Sequence, residues 1–337
     1  MGLYEEASFR QACTAIPGNL LTLHHTLFSP FFKNGSQLIP SVVFSSYLAP
    51  IYDYTDLPFR LLCQKHGADA VCVPLVSAAA IANDPGKVSL VDAHPDEKNI
   101  GVQLVGSEPG WMGIAAERVM DSFPFISWLN INCGCPSERT MGCGGGSALL
   151  SSPGRIVEIV KAVKKADCPV SVKIRIYADT CKTVALCRRI EDAGSDLLIV
   201  HGRTVRQGYS GKADWEAIRA IKDVVGIQVV GNGDIVSVEQ GKKRVEDGYC
   251  DSYMIGRTAM GNPMVFSGKV PKDSRERFAM LEAYVKLSER YGCDTLKGAR
   301  MKAVNMLSGI RNASKIRDMA FRAESVEDIL AIKDLLE

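Results

Sequence analysis

The chain has 337 residues, of which 46% are hydrophobic and 23% are charged, a composition typical of a folded globular protein and not of a disordered one. A formal net charge of +2 does not by itself indicate nucleic-acid binding, so evidence for such binding has to come from local clusters. Eleven cysteines without a framework spacing predict reduced thiols in a cytoplasmic protein. The longest uncharged stretches contain prolines and polar residues, so no membrane span is predicted.

Residues 1–41 match no pattern that we can interpret, and strand-like segments begin at residue 42. We interpret eight β-branched or apolar segments as strands: 42–49, 70–76, 99–105, 126–132, 169–176, 196–202, 227–231 and 252–256. Apolar residues recur every three or four positions in the clearest of the intervening segments, which predicts helices at 109–122, 153–166, 180–193 and 214–223. Alternating strands and helices imply parallel strands, and eight such units favour an α/β fold of the (β/α)8 TIM barrel type. The alternative, a doubly wound sheet, lacks a G-x-G-x-x-G motif after the first strand.

Strand-like segments stop near residue 270, and the rest of the chain has helical character. Four helices are predicted, at 273–291, 296–308, 313–323 and 326–336, and Ser325 with Asp328 forms a capping pair for the last one. We therefore divide the chain into an unassigned N-terminal extension, a catalytic barrel domain and a small C-terminal helical bundle domain, with bounds 1–41, 42–268 and 269–337.

Polar residues or glycines follow seven of the eight predicted strands. Because the active site of a (β/α)8 barrel forms at the carboxyl ends of its strands, these residues are expected to surround one site. The eight strand ends read Ala49-Pro50-Ile51-Tyr52, Pro74-Leu75, Gln103, Asn132-Cys133-Gly134-Cys135-Pro136, Lys173-Ile174-Arg175, His201-Gly202-Arg203-Thr204, Gly231-Asn232-Gly233-Asp234 and Gly256-Arg257.

Lys173 and Arg175 lie two residues apart in an apolar strand, so both side chains are expected to face the inside of the barrel. Two cations in such a place need an anionic partner, because an unpaired buried charge is costly. A reduced flavin, which carries negative charge near N1, would be such a partner. An ion pair with Asp or Glu of a neighbouring strand is the alternative.

The last two strand ends predict a phosphate site. Barrels commonly bind a phosphate after the seventh and eighth strands, where small residues let backbone N–H groups approach it. Gly231 to Asp234 and Gly256 supply such residues, and Arg257 adds a fork of donors. His201 is expected to bond either this phosphate or an edge of an isoalloxazine ring.

Cys135 stands between Gly134 and Pro136, which fix a bend that exposes its thiol at the barrel mouth. A thiol is mostly protonated at neutral pH, so Cys135 can serve as a general acid, whereas Cys133 is expected to face away and pack. In a rival interpretation Cys133, Cys135 and Cys143 ligate a metal or an iron–sulfur cluster. Their spacing lacks the paired C-x2-C of such sites, so no metal is predicted.

The chain resembles the tRNA-dihydrouridine synthase family over about residues 43–330. The resemblance rests on an ordered set of motifs: Leu48-Ala49-Pro50, Thr55-Asp56-Leu57-Pro58-Phe59-Arg60, Asn132-Cys133-Gly134-Cys135-Pro136, Val172-Lys173-Ile174-Arg175, His201-Gly202-Arg203-Thr204, Asn232-Gly233-Asp234 and Gly256-Arg257. It implies that specific uridines in tRNA are reduced to 5,6-dihydrouridine with FMN as cofactor and NADPH or NADH as reductant.

The resemblance also implies roles for individual residues. FMN would be held by Pro50, Ile51, Tyr52, Gln103, Lys173, His201, Asn232, Gly233, Asp234, Gly256 and Arg257. Cys135 would be the acid, Asn132 would lie near the uracil, and we assign Arg175 and Arg203 to substrate binding as well. The chain departs from the common family pattern at Ile51, at Val73-Pro74-Leu75 and at Lys302-Ala303, where other members often have Met, Thr-Glu-Met and Lys-His.

Residues 295–317 contain six basic residues and no acidic one, which favours a surface that binds tRNA. The six are Lys297, Arg300, Lys302, Arg311, Lys315 and Arg317, and we expect Arg300, Lys302 and Arg317 to contact it. There are two alternatives. A small-molecule flavin reductase of the ene-reductase or dihydroorotate dehydrogenase type would need no tRNA-binding surface. An RNA-binding protein on a barrel scaffold would catalyse no reaction. A monomer is expected.

Overall fold

The computed structural model describes residues 44–336, so the predicted N-terminal extension at 1–41 lies outside the described residues. Eight strands form one sheet: β1 (Ser46–Leu48), β2 (Val71–Ser77), β3 (Ile100–Val105), β4 (Trp128–Cys133), β5 (Val170–Arg175), β6 (Leu197–His201), β7 (Gln228–Asn232) and β8 (Ser252–Ile255). Their ladders are parallel, in the order β1-β8-β7-β6-β5-β4-β3-β2. A bridge between Tyr47 and Ala70 joins the two edges, which confirms the predicted (β/α)8 barrel.

Helices separate the strands and continue after the last one. Within the described residues they are α1 (Leu57–Lys65), α2 (Ala78–Asn83), α3 (Pro109–Ser122), α4 (Glu138–Gly142), α5 (Pro153–Val163), α6 (Thr180–Asp192), α7 (Trp215–Lys222), α8 (Val238–Glu246), α9 (Arg257–Gly261), α10 (Ser274–Arg290), α11 (Thr295–Met306), α12 (Ala313–Arg322) and α13 (Val326–Leu330). Short 3-10 helices occupy Pro85–Leu90, Gly146–Ser151, Lys164–Ala166, Pro263–Ser267 and Ala331–Leu335.

Successive strand residues face opposite sides of the sheet, which creates two apolar cores. On β6, Leu197 and Ile199 point into the barrel, whereas Leu198 and Val200 pack against the helices. Trp128 fills the amino-terminal end of the barrel, and a Cβ at Gly101 would lie 2.4 Å from its ring, so this position needs glycine. The barrel is therefore packed at its amino-terminal end, and a site can open only at the carboxyl ends of the strands.

The C-terminal helices pack on one side of the barrel, with α10 against α1 and α11 against α9. The predicted capping pair of α13 is confirmed, since Ser325 and Asp328 form a reciprocal capping box. The described residues, 44–336, form one compact unit, so the division of the chain at residue 268 stays a prediction. No helix among residues 44–336 is long and apolar enough to cross a membrane.

Candidate active site

A cavity of about 490 Å³ opens at the carboxyl ends of the strands, within the range of about 300–1,000 Å³ that is usual for small-molecule sites. All eight strands contribute to its wall: Ala49, Pro50, Ile51, Tyr52, Leu75, Gln103, Asn132, Gly134, Cys135, Pro136, Lys173, Arg175, His201, Tyr209, Asn232, Gly233, Asp234, Ile235, Val236, Met254, Gly256, Arg257 and Thr258. The structure thus brings together every residue predicted to hold the cofactor, along with Asn132, Cys135 and Arg175. Their individual roles stay predictions.

A ladder of uncharged polar side chains lies beneath this cavity, inside the barrel. Asn132 donates to Oε1 of Gln103 (2.7 Å), Gln103 donates to Oδ1 of Asn130 (2.7 Å), and Asn130 donates to Oγ of Ser171 (2.6 Å). At its upper end, Oδ1 of Asn132 accepts from the backbone N–H groups of Gly134 (3.1 Å) and Cys135 (3.0 Å). We call these four side chains the amide ladder. It fixes the backbone from which Cys135 projects.

The Cys135 thiol lies in the cavity wall with two hydroxyl partners. Its Sγ is 3.4 Å from Oγ of Ser137 and 3.6 Å from Oγ1 of Thr140. Burial opposes ionisation of this thiol, but its hydrogen bonds with Ser137 and Thr140 and the charge of Lys173 outweigh that effect, so the pKa of Cys135 lies below its ordinary value. The thiol can therefore release a proton more readily than an ordinary cysteine. Cys133, as predicted, is buried in the outer core, where burial raises its pKa.

Lys173 and Arg175 both face the inside of the barrel, as predicted. Their neighbours on the strand, Val172 and Ile174, pack outward against the helices. No carboxylate among the described residues forms an ion pair with either cation, so the alternative of a structural ion pair has no support here. Burial and the neighbouring Arg175 lower the pKa of Lys173 to about 8.

Arg175 braces two loops of the site. Its Nε donates to the carbonyl of Gly134 (3.1 Å), and its Nη1 donates to the carbonyls of Gly208 (2.8 Å) and Thr204 (3.2 Å). It thereby ties the Cys135 loop to the loop after β6. The side chain still lines the cavity, so its predicted contact with substrate stays open to test.

His201 is held in its neutral form. Burial, followed by the positive charges of Lys173 and Arg175, lowers its pKa to about 2. An uncharged imidazole offers one donor and one acceptor nitrogen to a ligand. His201 can therefore bond a ligand in the cavity without adding a further cation.

Asp234 organises two arginines at the end of β7. Its carboxylate accepts from Nη2 of Arg203 (2.7 and 2.8 Å), from Nη2 of Arg257 (3.3 Å) and from the backbone N–H of Ala213 (2.8 Å). Partial burial opposes ionisation of Asp234, but these bonds hold its pKa below the ordinary value. Arg203 is 2% exposed and is not part of the cavity wall, which contradicts its predicted contact with substrate. Its guanidinium instead holds the loop after β6 through the carbonyls of Ser210 and Gly211.

Gly233, which lines the cavity at the end of β7, has to be glycine. Its φ of +129° lies in the region that favours glycine, and a Cβ would lie 2.6 Å from Ala213 and 3.2 Å from the His201 ring. Ala213 and His201 thus pack where a side chain would lie, and the phosphate site expected at this strand end stays a prediction.

Tyr209 belongs to the cavity wall but was not predicted from the sequence. Its ring is exposed at the mouth, 5.7 Å from the guanidinium carbon of Arg175 and 4.8 Å from that of Arg257. Met254, at the end of β8, was missed in the same way. The Gln-Gly-Tyr-Ser turn that carries Tyr209 follows His201-Gly202-Arg203-Thr204 and is the only sequence signal that marks it.

The six basic residues of 295–317 differ in exposure: Lys297, Arg311, Lys315 and Arg317 are exposed, Arg300 is half-buried and Lys302 is buried. Lys302 is fully buried and bonds Asp56, so the prediction that it contacts tRNA is wrong. Arg300 is half-buried and donates to the carbonyl of Ala323 at the end of α12, and Lys297 lies 3.9 Å from Asp53. Arg317 is exposed, as its predicted role requires. The prediction failed for Lys302 because its partner, Asp56, lies outside 295–317, and the same holds for the Ala323 carbonyl that Arg300 contacts.

The ten cysteines of the described residues are free. No group of three or more His, Cys, Asp or Glu among residues 44–336 comes together as a metal would require. Cys133 is buried in the outer core, whereas Cys135 faces the cavity, and Cys143 is exposed. This separation gives the iron–sulfur interpretation no geometric basis.

Comparison with known proteins places this site in a family. The family model described as "Dihydrouridine synthase (Dus)" matches residues 47–335. The "tRNA-dihydrouridine synthase B" of Pseudomonas aeruginosa is 38% identical over 223 residues, 65% of this chain and 67% of that protein. The "Probable tRNA-dihydrouridine synthase 1" of Synechocystis sp. is 31% identical over 341 residues, 96% of this chain and 94% of that protein. With the barrel and the cavity residues in place across the matched region, the chain belongs to the dihydrouridine synthase family.

Proposed function

We propose that the protein reduces specific uridines of tRNA to 5,6-dihydrouridine, with FMN as cofactor and NADPH as reductant. One observation carries the proposal: a cation without a carboxylate partner, Lys173, and a thiol of lowered pKa, Cys135, face the same cavity. That pair of groups suits the addition of a hydride and a proton to a polarised double bond. The printed names of the relatives, which specify tRNA, support the choice of substrate.

The residues of the cavity fit FMN in three respects. Lys173 supplies a positive charge for the ring, and no described carboxylate neutralises it. Gly233, Gly256 and Arg257 line the same part of the cavity, where backbone N–H groups and a guanidinium would hold the phosphate. Gln103 would present its remaining amide donor and lone pair to the ring edge, since the amide ladder fixes its orientation. FMN, when bound and reduced by NADPH, would supply the hydride that adds to C6 of the uracil.

Cys135 would supply the proton. As the C5=C6 double bond breaks, the S–H bond of Cys135 also breaks and a C5–H bond forms, which leaves a thiolate that takes a new proton from solvent. Hydrogen bonds with Ser137 and Thr140, together with the charge of Lys173, favour the thiolate that this transfer produces. Asn132 holds the backbone of Cys135 in place during the transfer.

A uridine in folded tRNA can reach this cavity only if the base leaves its stack, which costs a few kcal/mol. We propose that the helices of residues 269–337 grip the tRNA body and offset that cost, with the exposed Arg317 and Lys315 near its phosphates. The exposed Tyr209 at the mouth offers a flat face to the extracted base. A cytoplasmic location, which suits the free cysteines, and a monomeric enzyme belong to the same proposal.

The test is reduction of an unmodified tRNA transcript by the purified protein with FMN and NADPH. Mass spectrometry of the digested product should find dihydrouridine at defined positions. If the protein instead oxidises NADPH with small unsaturated acceptors and leaves tRNA unchanged, the small-molecule reductase replaces this proposal. The burial of Lys302 against Asp56, which removes it from any surface that tRNA could contact, is the observation that keeps that competitor in view.

The acid is tested by Cys135→Ala. This variant should keep FMN yet lose at least about 100-fold in the rate at which tRNA reoxidises the reduced flavin, since general acids contribute about 10²- to 10⁴-fold. Cys143→Ala, an exposed cysteine outside the cavity wall, is the matched control and should react at the wild-type rate. Equal losses in the two variants would exclude Cys135 as the acid.

A further inference from the structure

The segment between β1 and α1 forms one wall of the cavity. Pro50, Ile51 and Tyr52 line the cavity, and Asp56 caps the first turn of α1 by accepting from the N–H of Phe59 (3.1 Å). Between them, Thr55 closes a tight turn: its Oγ1 accepts from the N–H of Ile51 (3.0 Å) and its own N–H donates to the Ile51 carbonyl (3.0 Å). We call residues 50–56 the wall loop. Because this turn connects Asp56 to Ile51, a displacement of Asp56 would also move the cavity wall.

Lys302 of α11 holds the wall loop from outside the barrel. Its side chain is fully buried, and Nζ lies 2.5 Å from Oδ2 of Asp56. The same oxygen accepts from the hydroxyl of Tyr284 on α10 (2.9 Å). Two C-terminal helices therefore converge on one carboxylate oxygen, while the other oxygen caps α1. Asp56 is the point at which the helical region, α1 and the cavity wall meet.

An aromatic cage surrounds the ammonium group. Nζ of Lys302 lies 4.6 Å from the ring centre of Tyr54, 4.7 Å from that of Tyr284 and 5.6 Å from that of Phe59. A Cβ at Gly298 would lie 1.9 Å from the Tyr284 hydroxyl, so glycine at 298 is what lets Tyr284 reach Asp56. Tyr54 lies in the wall loop and Phe59 in the first turn of α1, so the ammonium group contacts the loop at two residues, Tyr54 and Asp56.

We propose that Lys302 is a positioning residue for cofactor binding: through Asp56 and Tyr54 it holds the wall loop in the conformation in which Pro50, Ile51 and Tyr52 contact the cofactor. This proposal rests on the proposed function, since it takes the cavity to be the FMN site. It gives a further role to the C-terminal helices, which would shape the cofactor site from outside the barrel. A lysine that merely fastens α11 to the barrel would stabilise the fold and leave cofactor affinity unchanged.

Three variants separate these two roles. Lys302→Met removes the cation and leaves Asp56 without its partner, which is the more damaging way to break a buried ion pair. Lys302→Met with Asp56→Asn removes both charges, while asparagine can still cap α1. Lys333→Met is the matched control, because Lys333 also pairs with a carboxylate of α10 (Glu282, 2.9 Å) but is exposed.

The measurements are the dissociation constant of FMN and hydrogen–deuterium exchange of residues 50–56, both on the full chain. In Lys302→Met we expect FMN to bind about tenfold more weakly, within the range usual for coupled sites, and the wall loop to exchange faster in the cofactor-free protein. The double variant should recover thermal stability but not affinity. The control should match the wild type in both readouts.

The outcomes are distinct. Lowered thermal stability in Lys302→Met with wild-type affinity and exchange would overturn the proposal and leave Lys302 as a fastening residue. If Lys302→Met does not fold, the double variant decides: wild-type affinity overturns the proposal, and weakened affinity with fast exchange supports it. If the wild type binds no FMN, the proposed function fails, and exchange of the wall loop alone then tests whether Lys302 holds it.

Discussion

Lys173 on β5 and Lys302 on α11 look alike in the sequence, as cations in apolar surroundings that need an anion, but the fold treats them differently. Lys173 faces the cavity, and no described carboxylate pairs with it. Lys302 is enclosed, with Asp56 at 2.5 Å and three aromatic rings around it. The first lysine is left for a ligand, and the second is already satisfied by the chain.

The reason lies in how each element is placed. In a closed barrel the alternation of side chains decides which residues face inward, so the destination of Lys173 follows from its position on the strand. The destination of a residue on a packed helix depends on which part of the chain the helix meets. Asp56 precedes Lys302 by 246 residues, and no local pattern connects them.

The largest expected effect is on the satisfied lysine. Lys302→Met should lower the free energy of unfolding by about 3–5 kcal/mol, because it strands the partly buried Asp56 carboxylate. Urea denaturation of the FMN-free protein measures this, and the exposed pair Lys333–Glu282 should cost no more than about 1 kcal/mol when broken by Lys333→Met. Equal losses in the two variants would remove the contrast between buried and exposed pairs.

The next largest effect is expected at Lys173, where substitution should weaken ligand binding without lowering the stability of the FMN-free protein. Lys173→Met should weaken binding of reduced FMN by about 100-fold, the scale of a lost charge contact in an enclosed site, and should not destabilise the FMN-free protein. Anaerobic titration with reduced FMN and thermal unfolding measure the two quantities. Lys161→Met, on the exposed face of α5, is the control. A destabilised FMN-free variant would mean that Lys173 has a partner within the chain after all.

The pH dependence sharpens the same comparison. Because the pKa of Lys173 is about 8 in the folded chain, its charge is lost as the pH rises above 8, and the affinity for reduced FMN should fall by up to about tenfold per pH unit. Stability of the FMN-free protein should move the other way, since the unfolded lysine keeps its proton up to about pH 10.4 and the folded one does not. Lys173→Met should abolish both responses. An unchanged affinity between pH 7 and pH 9.5 would contradict this assignment.

The smallest effect is on the exposed cations of α12. Lys315→Ala and Arg317→Ala should each reduce the log–log slope of tRNA affinity against salt by about one unit if each contacts a phosphate. Arg300→Ala should leave the slope unchanged, because its guanidinium bonds the Ala323 carbonyl. Flavin content should not change in any of the three. A slope that responds to Arg300 and not to Arg317 would place the tRNA on another face of these helices.

The fold was predictable from the sequence because apolar residues recur with a regular period in amphipathic helices and form short continuous segments in barrel strands. The predicted helix at 109–122 coincides with α3 at Pro109–Ser122, and the predicted strand at 99–105 differs from β3 by one residue. The short helices α4 and α9 had no separate prediction, since five residues hold barely more than one turn of periodicity. The first predicted strand began at residue 42, whereas β1 begins at Ser46.

The site residues at strand ends were predictable from the sequence, whereas those in loops were not. Residues at strand ends, such as Gln103 and His201, were predictable because the barrel brings all strand ends together. Tyr209 was not, since it lies in a loop whose path depends on Arg203 and Arg175. Arg203 itself was misjudged because its partner Asp234 comes from the next strand end, where the sequence suggests a ligand contact instead of an ion pair.

The amide ladder has a consequence for proton traffic. Gln103, Asn130, Asn132 and Ser171 carry no group that titrates in the physiological range, so these four side chains hold no net charge and have no ionisable proton to supply. If Cys135 is the acid, as proposed, its proton would be replaced from the open side of the cavity, past the exposed ring of Tyr209, and not through the amide ladder. The extracted base would pass the same opening. The proposed function therefore puts product release and reprotonation of Cys135 on one path.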